Sequence, residues 1–156
     1  MINMIIRTPT YADIEVLLDL GAKLHQESAY EFLPYDRDKV RGLIINYIED
    51  NDTRCGLVAE SDGSIIGMIG GYLIDYYFCN ETLVNDEVLF VKPDHRGGMT
   101  AVRLIDRLRQ WAKDRGAREL CLGISTNVRI EATGKLYERL GFTHVGGIYK
   151  MNLNNG

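Results

Sequence analysis

Apolar residues recur at helical spacing in the first third of the chain. A short apolar strand over residues 4–7 comes first. Thr10 and Asp13 follow it, and their separation of three residues is typical of an N-terminal helix cap. The apolar residues after Asp13 lie three and four positions apart, as they do on one face of a helix. This pattern predicts a strand followed by a first helix over about residues 11–25.

The pattern changes after residue 55, where extended apolar runs separated by turns replace the helical spacing. The pair Asp62-Gly63 favours the positive φ angles of a hairpin turn. A strongly amphipathic helix with an arginine-rich polar face comes later and stops at Gly116. The predicted strands cover residues 4–7, 56–60, 65–73, 83–91, 119–124 and 144–153, and the predicted helices cover residues 11–25, 40–48, 99–115 and 130–140.

This order of elements predicts an α/β or α+β domain with a mixed sheet, because hairpin-paired strands come first and helix-linked strands follow. The length of 156 residues fits one domain over 1–156. The composition, 46% hydrophobic and 26% charged, is typical of a globular protein and excludes disordered and collagen-like classes. No run of 18 apolar residues and no signal-peptide pattern occur, so we expect no membrane span.

Charge and cysteine content exclude further classes of protein. The chain has 22 acidic and 18 basic residues and a net charge of -4, which argues against binding to nucleic acid or to anionic membranes. Cys55, Cys79 and Cys121 are widely spaced and form neither a CxxC pair nor a cluster with histidine. We therefore expect reduced thiols, no metal site and a cytoplasmic location.

The segment from Glu87 to Ala101 carries the strongest chemical signal. A strand ends there, a tight turn rich in glycine and basic residues follows, and an amphipathic helix begins. Free N–H groups and the dipole of a helix N-terminus bind anions, and glycines let a phosphate approach the main chain. Neither a P-loop nor a GxGxxG motif occurs. Two interpretations remain: another kind of pyrophosphate site, and a plain strand-to-helix turn with a solvated Arg96.

A second stretch, Leu136 to Phe142, places Tyr137 near the end of a helix that stops at Gly141. Alone, it is better explained by an ordinary half-buried tyrosine. Together with Val91-Lys92-Pro93 and the turn from Arg96 onward, it resembles the GNAT superfamily of acetyl-CoA-dependent N-acetyltransferases. That family has Val-x-Pro before its phosphate loop and Leu-Tyr-Glu-x-Leu-Gly-Phe at the end of a later helix.

The resemblance implies a mixed, mostly antiparallel central sheet of six to seven strands flanked by about four helices. It also implies acetyl-CoA as the acyl-donor cosubstrate, with the pantetheine arm along the main chain of Phe90 and Val91. The pyrophosphate would lie on a loop whose residues are Arg96, Gly97, Gly98, Met99, Thr100 and Ala101, and the Thr100 hydroxyl would contribute to its binding.

Two positions depart from the family pattern. Met99 stands where the family has the middle glycine of the phosphate loop, and a register that uses Gly98 is the alternative. Ile130 stands where the family often has an asparagine, seven residues before Tyr137, and Asn127 is a nearby substitute.

The resemblance implies direct attack of a primary amine on the thioester, with Tyr137 protonating the departing thiolate. An amine is mostly protonated at neutral pH, so a carboxylate on the central strand has to accept its proton. Glu87 is the candidate base because it lies four residues before Val91 and shares its side in a regular strand. If a bulge turns the Glu87 side chain to the other face of the sheet, Asp86 and Asn85 are the next candidates for this role. A Glu87 that is simply solvated at the end of a strand is the other alternative.

An acidic and aromatic surface is expected around the acceptor amine. It combines the connection after the first helix with the end of a central strand. Such a surface attracts a cationic amine by charge and by cation–π contact, although the same residues would also serve simply to solvate two loops. The candidate substrate-binding residues are Glu27, Tyr30, Glu31, Tyr35, Asp36 and Tyr72.

Two main functions compete on this evidence. The first is transfer of an acetyl group from acetyl-CoA to a small cationic amine, and Tyr137 and Glu87 favour it. The second is a catalytically silent module of the same fold that binds CoA or a partner protein, and Met99 and Ile130 favour that one. A nucleic-acid module built on the basic face of the helix over residues 99–115 is disfavoured by the net charge. The resemblance is also compatible with a homodimer.

Overall fold

A five-stranded mixed sheet organises the computed structural model, which describes residues 3–124, 126 and 128–154. The strands lie across the sheet in chain order; the first four pair antiparallel, and the fifth runs parallel to the fourth. The strands are β1 (Met4–Arg7), β2 (Arg54–Ser61), β3 (Ser64–Asp75), β4 (Thr82–Val91) and β5 (Glu119–Cys121). The helices are α1 (Ile14–Glu27), α2 (Arg37–Glu49), α3 (Thr100–Asp114) and α4 (Ile130–Arg139), with short 3₁₀ helices at Tyr11–Asp13 and Pro93–His95.

The predicted fold class is confirmed, but the predicted number of strands is wrong. The sheet has five strands within the described residues instead of six to seven. Residues 143–152 form no strand, and β5 ends at Cys121 instead of continuing to residue 124. An alternating pattern becomes a strand only where a partner offers hydrogen bonds, and the C-terminal segment has no such partner in this structure.

Each face of the sheet carries its own part of the core. On one face, α3 buries Leu104, Ile105 and Leu108 completely against β2 and β3. On the other face, Leu17 and Leu20 of α1 pack against strand residues that include Phe90. Each such side chain contributes roughly 1.5–3 kcal/mol when it is removed from water. The second half of β4 is therefore held firmly between two helical layers.

Glycine in β3 lets α3 approach the sheet closely. A Cβ atom at Gly67 would lie 3.1 Å from the carbonyl oxygen of Phe90 and 3.2 Å from Cγ2 of Thr100. A Cβ atom at Gly71 would lie 3.0 Å from a Leu108 methyl group. These distances are tighter than ordinary contacts, so a side chain at either position would force its neighbours to shift by a few tenths of an ångström.

The N-terminal cap predicted at Thr10 and Asp13 is confirmed. The backbone N–H of Thr10 donates to Oδ2 of Asp13 over 2.7 Å, and Arg7 donates two hydrogen bonds of 2.8 and 3.0 Å to the same carboxylate. This bidentate pair joins β1 to the start of the first helical segment.

Neither a membrane-spanning helix nor a metal-binding cluster occurs in the part of the chain that the structure describes. None of the helices in this part is both long and apolar enough to cross a bilayer. The same residues hold no group of three or more histidine, cysteine, aspartate or glutamate side chains that could bind a metal ion.

Candidate active site

A cleft of about 560 Å³ opens where β4 and β5 separate. β5 pairs with β4 only from Leu83 to Asn85, whereas β3 pairs with β4 along nearly its whole length. Beyond Asn85, the β4 edge that would face a fifth strand therefore faces the cleft. The second half of β4, the loop before α3, the segment after β5 and one side of α4 line this space. Phe90 and Val91 are among the lining residues, as expected for a strand that would hold an extended ligand.

The loop before α3 presents free N–H groups at the mouth of the cleft. Gly97 has a φ angle of +87°, and no atom lies within 4 Å of a Cβ built at Gly97 or Gly98. The first backbone hydrogen bond inside α3 runs from the N–H of Arg103 to the carbonyl of Met99 over 2.9 Å. The N–H groups of the first helical turn thus have no helical acceptor. Free N–H groups and the dipole of a helix N-terminus are suited to bind an anion, and the open space around Gly97 and Gly98 leaves room for one.

The backbone conformation at Met99 does not require glycine. It is the N-cap of α3 and has right-handed helical angles, φ -92° and ψ -1°, which any residue adopts without strain. Its side chain is 60% exposed and lines the cleft. The departure from the family pattern at this position therefore leaves the loop backbone intact.

Arg96 is fixed by three contacts at the base of the loop. Its Nε donates to the carbonyl oxygen of Val91 over 2.8 Å, and its Nη1 donates to Oε2 of Glu27 over 3.3 Å. The guanidinium also lies 5.3 Å from the centroid of the Phe90 ring. Glu27 ends α1, so this ion pair ties α1 to the loop and holds a positive charge beside the free N–H groups.

Asp86 and Tyr137 are both hydrogen-bonded to the backbone of Gly123 in the cleft. The N–H of Gly123 donates to Oδ1 of Asp86 over 3.1 Å, and the hydroxyl of Tyr137 donates to the carbonyl of Gly123 over 3.2 Å. All three residues line the cleft. One backbone residue thus sets the spacing between a carboxylate and a phenol.

Burial gives these two groups complementary protonation states. Removal from water raises the pKa of Asp86 to about 6, although its hydrogen bond from Gly123 opposes the shift. At neutral pH the carboxylate is mostly ionised and is a stronger base than an exposed aspartate. Burial, and then the charge of Asp86, raise the pKa of Tyr137, so its hydroxyl keeps its proton. The pair combines a proton acceptor with a proton donor.

A family model described as an acetyltransferase (GNAT) domain matches residues 52–144, which is more than half of the chain. The chain belongs to the GNAT acetyltransferase family. The matched region runs from β2 through α4 and includes Asp86, Gly123 and Tyr137. The resemblance found in the two short motifs is confirmed.

Human relatives and solved structures agree with this family assignment. Human N-acetyltransferase 8B is 35% identical over 92 residues, and human N-acetyltransferase 8 is 33% identical over 92 residues. Each match covers 59% of this chain and 40% of the human protein, so it spans less than half of those relatives.

Similarity to solved structures extends over almost the whole chain. The aminoglycoside N-acetyltransferase AAC(6')-Iy in complex with CoA has a TM-score of 0.78, with 20% identity and coverage of 99% of this chain and 97% of its own. A predicted acetyltransferase with acetyl-CoA from Clostridium acetobutylicum has a TM-score of 0.74, with 22% identity and coverage of 97% of both chains. At this level of identity the likeness establishes the fold.

Glu87, the expected base of the GNAT domain, lies at a bulge in β4. Gly70 pairs with Val88 and Gly71 pairs with Asp86, so Glu87 has no direct partner on β3. The regular strand assumed for its facing is therefore wrong, and the alternative that named Asp86 after a bulge fits the geometry. Glu87 does line the cleft, where its Oε1 accepts a hydrogen bond from the Tyr47 hydroxyl over 3.3 Å. Its role as a base stays a prediction.

The predicted phosphate loop comes together except at two positions. Thr100 is 5% exposed, its Cγ2 methyl packs towards Gly67, and it is not among the residues that line the cleft, so the predicted role of its hydroxyl stays a prediction. Asn127 lies outside the described residues. Arg96, Gly97, Gly98, Met99 and Ala101 all line the cleft.

Most of the predicted acceptor residues lie away from the cleft, whose lining includes Glu27 alone among the six. The Tyr35 hydroxyl donates to the carbonyl of Leu18 over 2.9 Å, and its ring packs against His25. Asp36 caps α2 by accepting hydrogen bonds from two backbone N–H groups. Tyr30 lies beneath the ammonium group of Lys150. Glu31 is exposed in the connection after α1, and Tyr72 lies in β3, where it pairs with Asn85 of β4; neither lines the cleft.

Sequence reasoning missed Gly123 completely. It follows a short strand and belongs to no motif, so its role as a bridge is visible only in three dimensions. Asp86 was a secondary candidate, named for the case of a bulge in β4. The Gly70-Gly71 pair of the neighbouring strand is a signal that could have pointed to such a bulge. That signal gains its meaning only when the pairing of β3 with β4 is known.

Proposed function

We propose that this GNAT domain, over residues 1–156, transfers an acetyl group from acetyl-CoA to a primary amine of a small cationic molecule. The observation that carries the proposal is the bridge from Asp86 through Gly123 to Tyr137, in a cleft that ends at a helix N-terminus. Family membership supports the reaction type, and the CoA and acetyl-CoA complexes of similar structures support the donor. The three free cysteines support a cytoplasmic location.

The donor would be held mainly by the backbone. The N–H groups at the start of α3 would bind the pyrophosphate, and Arg96 would add charge beside them. The unpaired edge of β4, which includes Phe90 and Val91, would receive the amide groups of the pantetheine arm as a partner strand would. Acetyl-CoA supplies the acetyl group in activated form, as a thioester.

Two side chains of the chain would move the protons. The Asp86 carboxylate would take a proton from the ammonium form of the acceptor, directly or through a water molecule, which frees the amine to attack. The Tyr137 hydroxyl would give its proton to the sulfur of the leaving group. Both groups are in the required state at neutral pH: the raised pKa of Asp86, about 6, still lies below 7, so the carboxylate is mostly ionised, and the Tyr137 phenol keeps its proton.

Two carboxylates at one end of the cleft support a cationic acceptor. Asp86 and Glu87 are neighbours on β4 and both line the cleft, and Arg54 lies 3.9 Å from Glu87. The arginines of the lining, Arg96, Arg129 and Arg139, belong to the loop before α3 and to the two ends of α4. A small molecule with several amines suits this arrangement by charge attraction. A bisubstrate analogue of CoA and acetylneamine bound to AAC(6')-Iy, a protein of the same fold, supports the small-molecule class.

Calorimetric titration with acetyl-CoA tests the donor site first. We expect micromolar binding, and we expect Arg96→Ala to weaken it about tenfold because one charged contact is lost. Arg103→Ala is the matched control, since Arg103 lies on the exposed side of α3 and donates to the carbonyl of Met4.

A panel of amines scored by thiol release tests the transfer. Turnover with small polyamines or amino sugars would support the proposal. Tight acetyl-CoA binding without turnover of any amine, small or protein-borne, would contradict it in favour of the silent binding module. Absence of binding at millimolar acetyl-CoA would remove the donor assignment.

A further inference from the structure

Asp86 and Glu87 line the same cleft, but their surroundings differ. Asp86 is withdrawn from water and accepts a hydrogen bond from Gly123, which places it beside Tyr137. The Glu87 side chain keeps 36% of its surface exposed. A partly exposed carboxylate binds a cation at a lower cost in lost hydration than a buried one does. The two neighbours are therefore suited to different tasks, proton transfer for Asp86 and charge recognition for Glu87.

The bulge in β4 directs the side chains of Asp86 and Glu87 to opposite faces of the sheet. Asp86 pairs with Gly71, where a Cβ atom would lie 3.0 Å from Leu108 of α3. Side chains of directly paired residues share a face, so Asp86 lies on the face that α3 covers. Glu87 contacts Tyr47 of α2, which packs on the other face. Because both carboxylates line one cleft, a single small molecule can reach both of them.

The Glu87 carboxylate is held through one of its two oxygens. The Tyr47 hydroxyl donates to Oε1 over 3.3 Å, and Nη1 of Arg54 lies 3.9 Å from the same oxygen. The separation from Arg54 is longer than a hydrogen bond. In the part of the chain that the structure describes, no hydrogen bond reaches Oε2 of Glu87. The second oxygen is therefore available to a ligand.

Tyr47 is itself fixed by packing. It is 7% exposed, and Cβ atoms at Gly56 and Gly70 would each lie 3.2 Å from its side chain. The Tyr47 ring thus fills the space that these two glycines leave free. The guanidinium group of Arg54 lies 5.3 Å from the centroid of this ring. A hydroxyl group with so little freedom holds the carboxylate of Glu87 in one orientation.

We propose that Glu87 binds a second ammonium group of the acceptor and that Tyr47 is the positioning residue for this contact. The inference rests on the proposed function, in which Asp86 receives the proton of the reacting amine. A diamine would then be held at both ends, with one nitrogen beside Asp86 and the other donating to Oε2 of Glu87. A monoamine of the same length has a methyl group at the second end and lacks this charge-assisted hydrogen bond. The acceptor class is thus narrowed from cationic amines to diamines.

Pairs of amines with the same shape test the subsite by rate. Diamines from ethylenediamine to hexanediamine would each be compared with the monoamine in which a methyl group replaces one nitrogen, such as butanediamine with pentylamine. We expect kcat/KM for the best diamine to exceed that of its monoamine about tenfold, because one charge-assisted contact is added. Glu87→Gln should abolish this preference and leave the monoamine almost unaffected.

Glu81→Gln is the matched control for Glu87→Gln. Glu81 lies exposed in the turn between β3 and β4, outside the lining of the cleft, so its substitution removes the same charge without touching the subsite. The preference for the diamine should persist in this variant. Its loss with Glu81→Gln would mean that the overall charge of the protein, and not a contact with Glu87, selects the diamine, and the subsite would be rejected.

Tyr47→Phe tests the positioning role. Phenylalanine keeps the ring between Gly56 and Gly70, so the fold should persist, and the melting temperature checks this. KM for the diamine should rise about fivefold, as expected for the loss of one neutral hydrogen-bond donor. The kcat for the diamine, and both constants for the monoamine, should stay nearly the same. An unchanged KM for the diamine, or an equal rise for the monoamine, would reject the role of Tyr47.

Calorimetry distinguishes failure of the subsite from failure of the transfer, because binding needs no turnover. With the protein saturated with CoA, the Kd of the best diamine should be about tenfold lower than that of its monoamine, and Glu87→Gln should remove the difference. Equal affinities and equal rates for the two amines would overturn the subsite while acetyl transfer stands. An equal fall in kcat for both amines with Glu87→Gln would show that Glu87 is a base and would also overturn the subsite. Absence of turnover with any amine would refute the proposed function, and the acceptor role of Glu87 with it.

Discussion

At the scale of single residues, Gly123 holds the two candidate proton-transfer groups of the cleft at a fixed spacing. Its N–H and carbonyl bind Asp86 and Tyr137, so the spacing of the two groups depends on backbone geometry. Burial then moves each group in a useful direction, the carboxylate towards neutrality and the phenol further into its protonated range. A base whose pKa lies close to the working pH combines ionisation with basicity.

Asp86→Asn should lower kcat/KM about a hundredfold or more, since general base catalysis contributes that much. The pKa of Asp86 is raised to about 6, so wild-type kcat/KM should fall as the pH drops through 6 and the carboxylate gains a proton. This acid limb should be missing in the variant, whereas the limb caused by the acceptor amine at higher pH should persist. A pH–rate profile measures both.

Glu87→Gln is the matched comparison for Asp86→Asn. Glu87 lies one residue away and also lines the cleft, but at the bulge it accepts a hydrogen bond from Tyr47. We expect the Glu87→Gln variant to keep the fall in kcat/KM below about pH 6. An acid limb that disappears with Glu87→Gln and stays with Asp86→Asn would reverse the assignment.

Tyr137→Phe should reduce kcat strongly and leave the Kd of acetyl-CoA nearly unchanged. The hydroxyl donates to Gly123 inside the cleft, while the loop at α3 would carry most of the donor affinity. Calorimetry and steady-state kinetics on the same preparation separate the two quantities. Equal losses in binding and in rate would show that the tyrosine merely shapes the site.

At the scale of elements, the ion pair of Arg7 with Asp13 joins β1 to the first helix. The Asp13 side chain is 11% exposed and accepts bonds from Arg7 and from the N–H of Thr10. A carboxylate in this position caps a helix and pairs a half-buried guanidinium at once. Its loss therefore affects a strand, a helix start and their packing together.

Asp13→Ala should lower the free energy of unfolding by about 3 kcal/mol, from the lost cap and the unpaired guanidinium. The hydrogen bonds from Arg7 lower the pKa of Asp13, so this stabilisation is complete above the ordinary aspartate pKa. It disappears as the pH falls through the lowered value in the folded state, so the two proteins should converge in acid. Urea titrations at pH 7 and at successively lower pH, down to pH 2, measure the difference.

Asp19→Ala is the control for this prediction. Asp19 forms an ion pair with Arg37 whose two side chains are well exposed, so solvent screens it. The variant should unfold almost as the wild type does at both pH values. A loss equal to that of Asp13→Ala would mean that general surface charge, and not the cap, explains the effect.

At the scale of the whole molecule, the separation of β4 from β5 creates the site. The ligand would replace a missing stretch of sheet and would bridge the two layers that hold β4 and the start of α3. Binding of such a ligand to the folded state alone should stabilise the entire domain by mass action.

Acetyl-CoA at a hundred times its Kd should raise the free energy of unfolding by about 2.7 kcal/mol. For a chain of this size the melting temperature should rise by roughly 5–10 °C. S-acetylpantetheine, which lacks the pyrophosphate, should give a much smaller shift at the same concentration. Equal shifts from the two ligands would contradict the assignment of the loop at α3 as the phosphate site.

The sequence by itself determined the local features of this protein, which are its helix caps, turns and helix ends. The cap at Thr10, the turn at Asp62-Gly63, the glycine-rich loop before α3 and the stop at Gly141 depend on neighbours a few residues apart, and each is found as predicted. Four helices and the mixed sheet follow from periodicity for the same reason. The family could be identified because its two motifs are themselves local.

Tertiary structure alone decided which residues face each other. The bulge opposite Gly70-Gly71 makes Asp86 a stronger candidate base than Glu87, and the separation of β4 from β5 places Gly123 between the carboxylate and Tyr137. The tertiary structure also shows that Tyr35 packs against α1 and that Asp36 caps α2, although an aromatic and an acidic side chain suited an acceptor site. Strand register and loop placement arise from contacts between distant segments, and a shift of one residue reverses the face of every side chain.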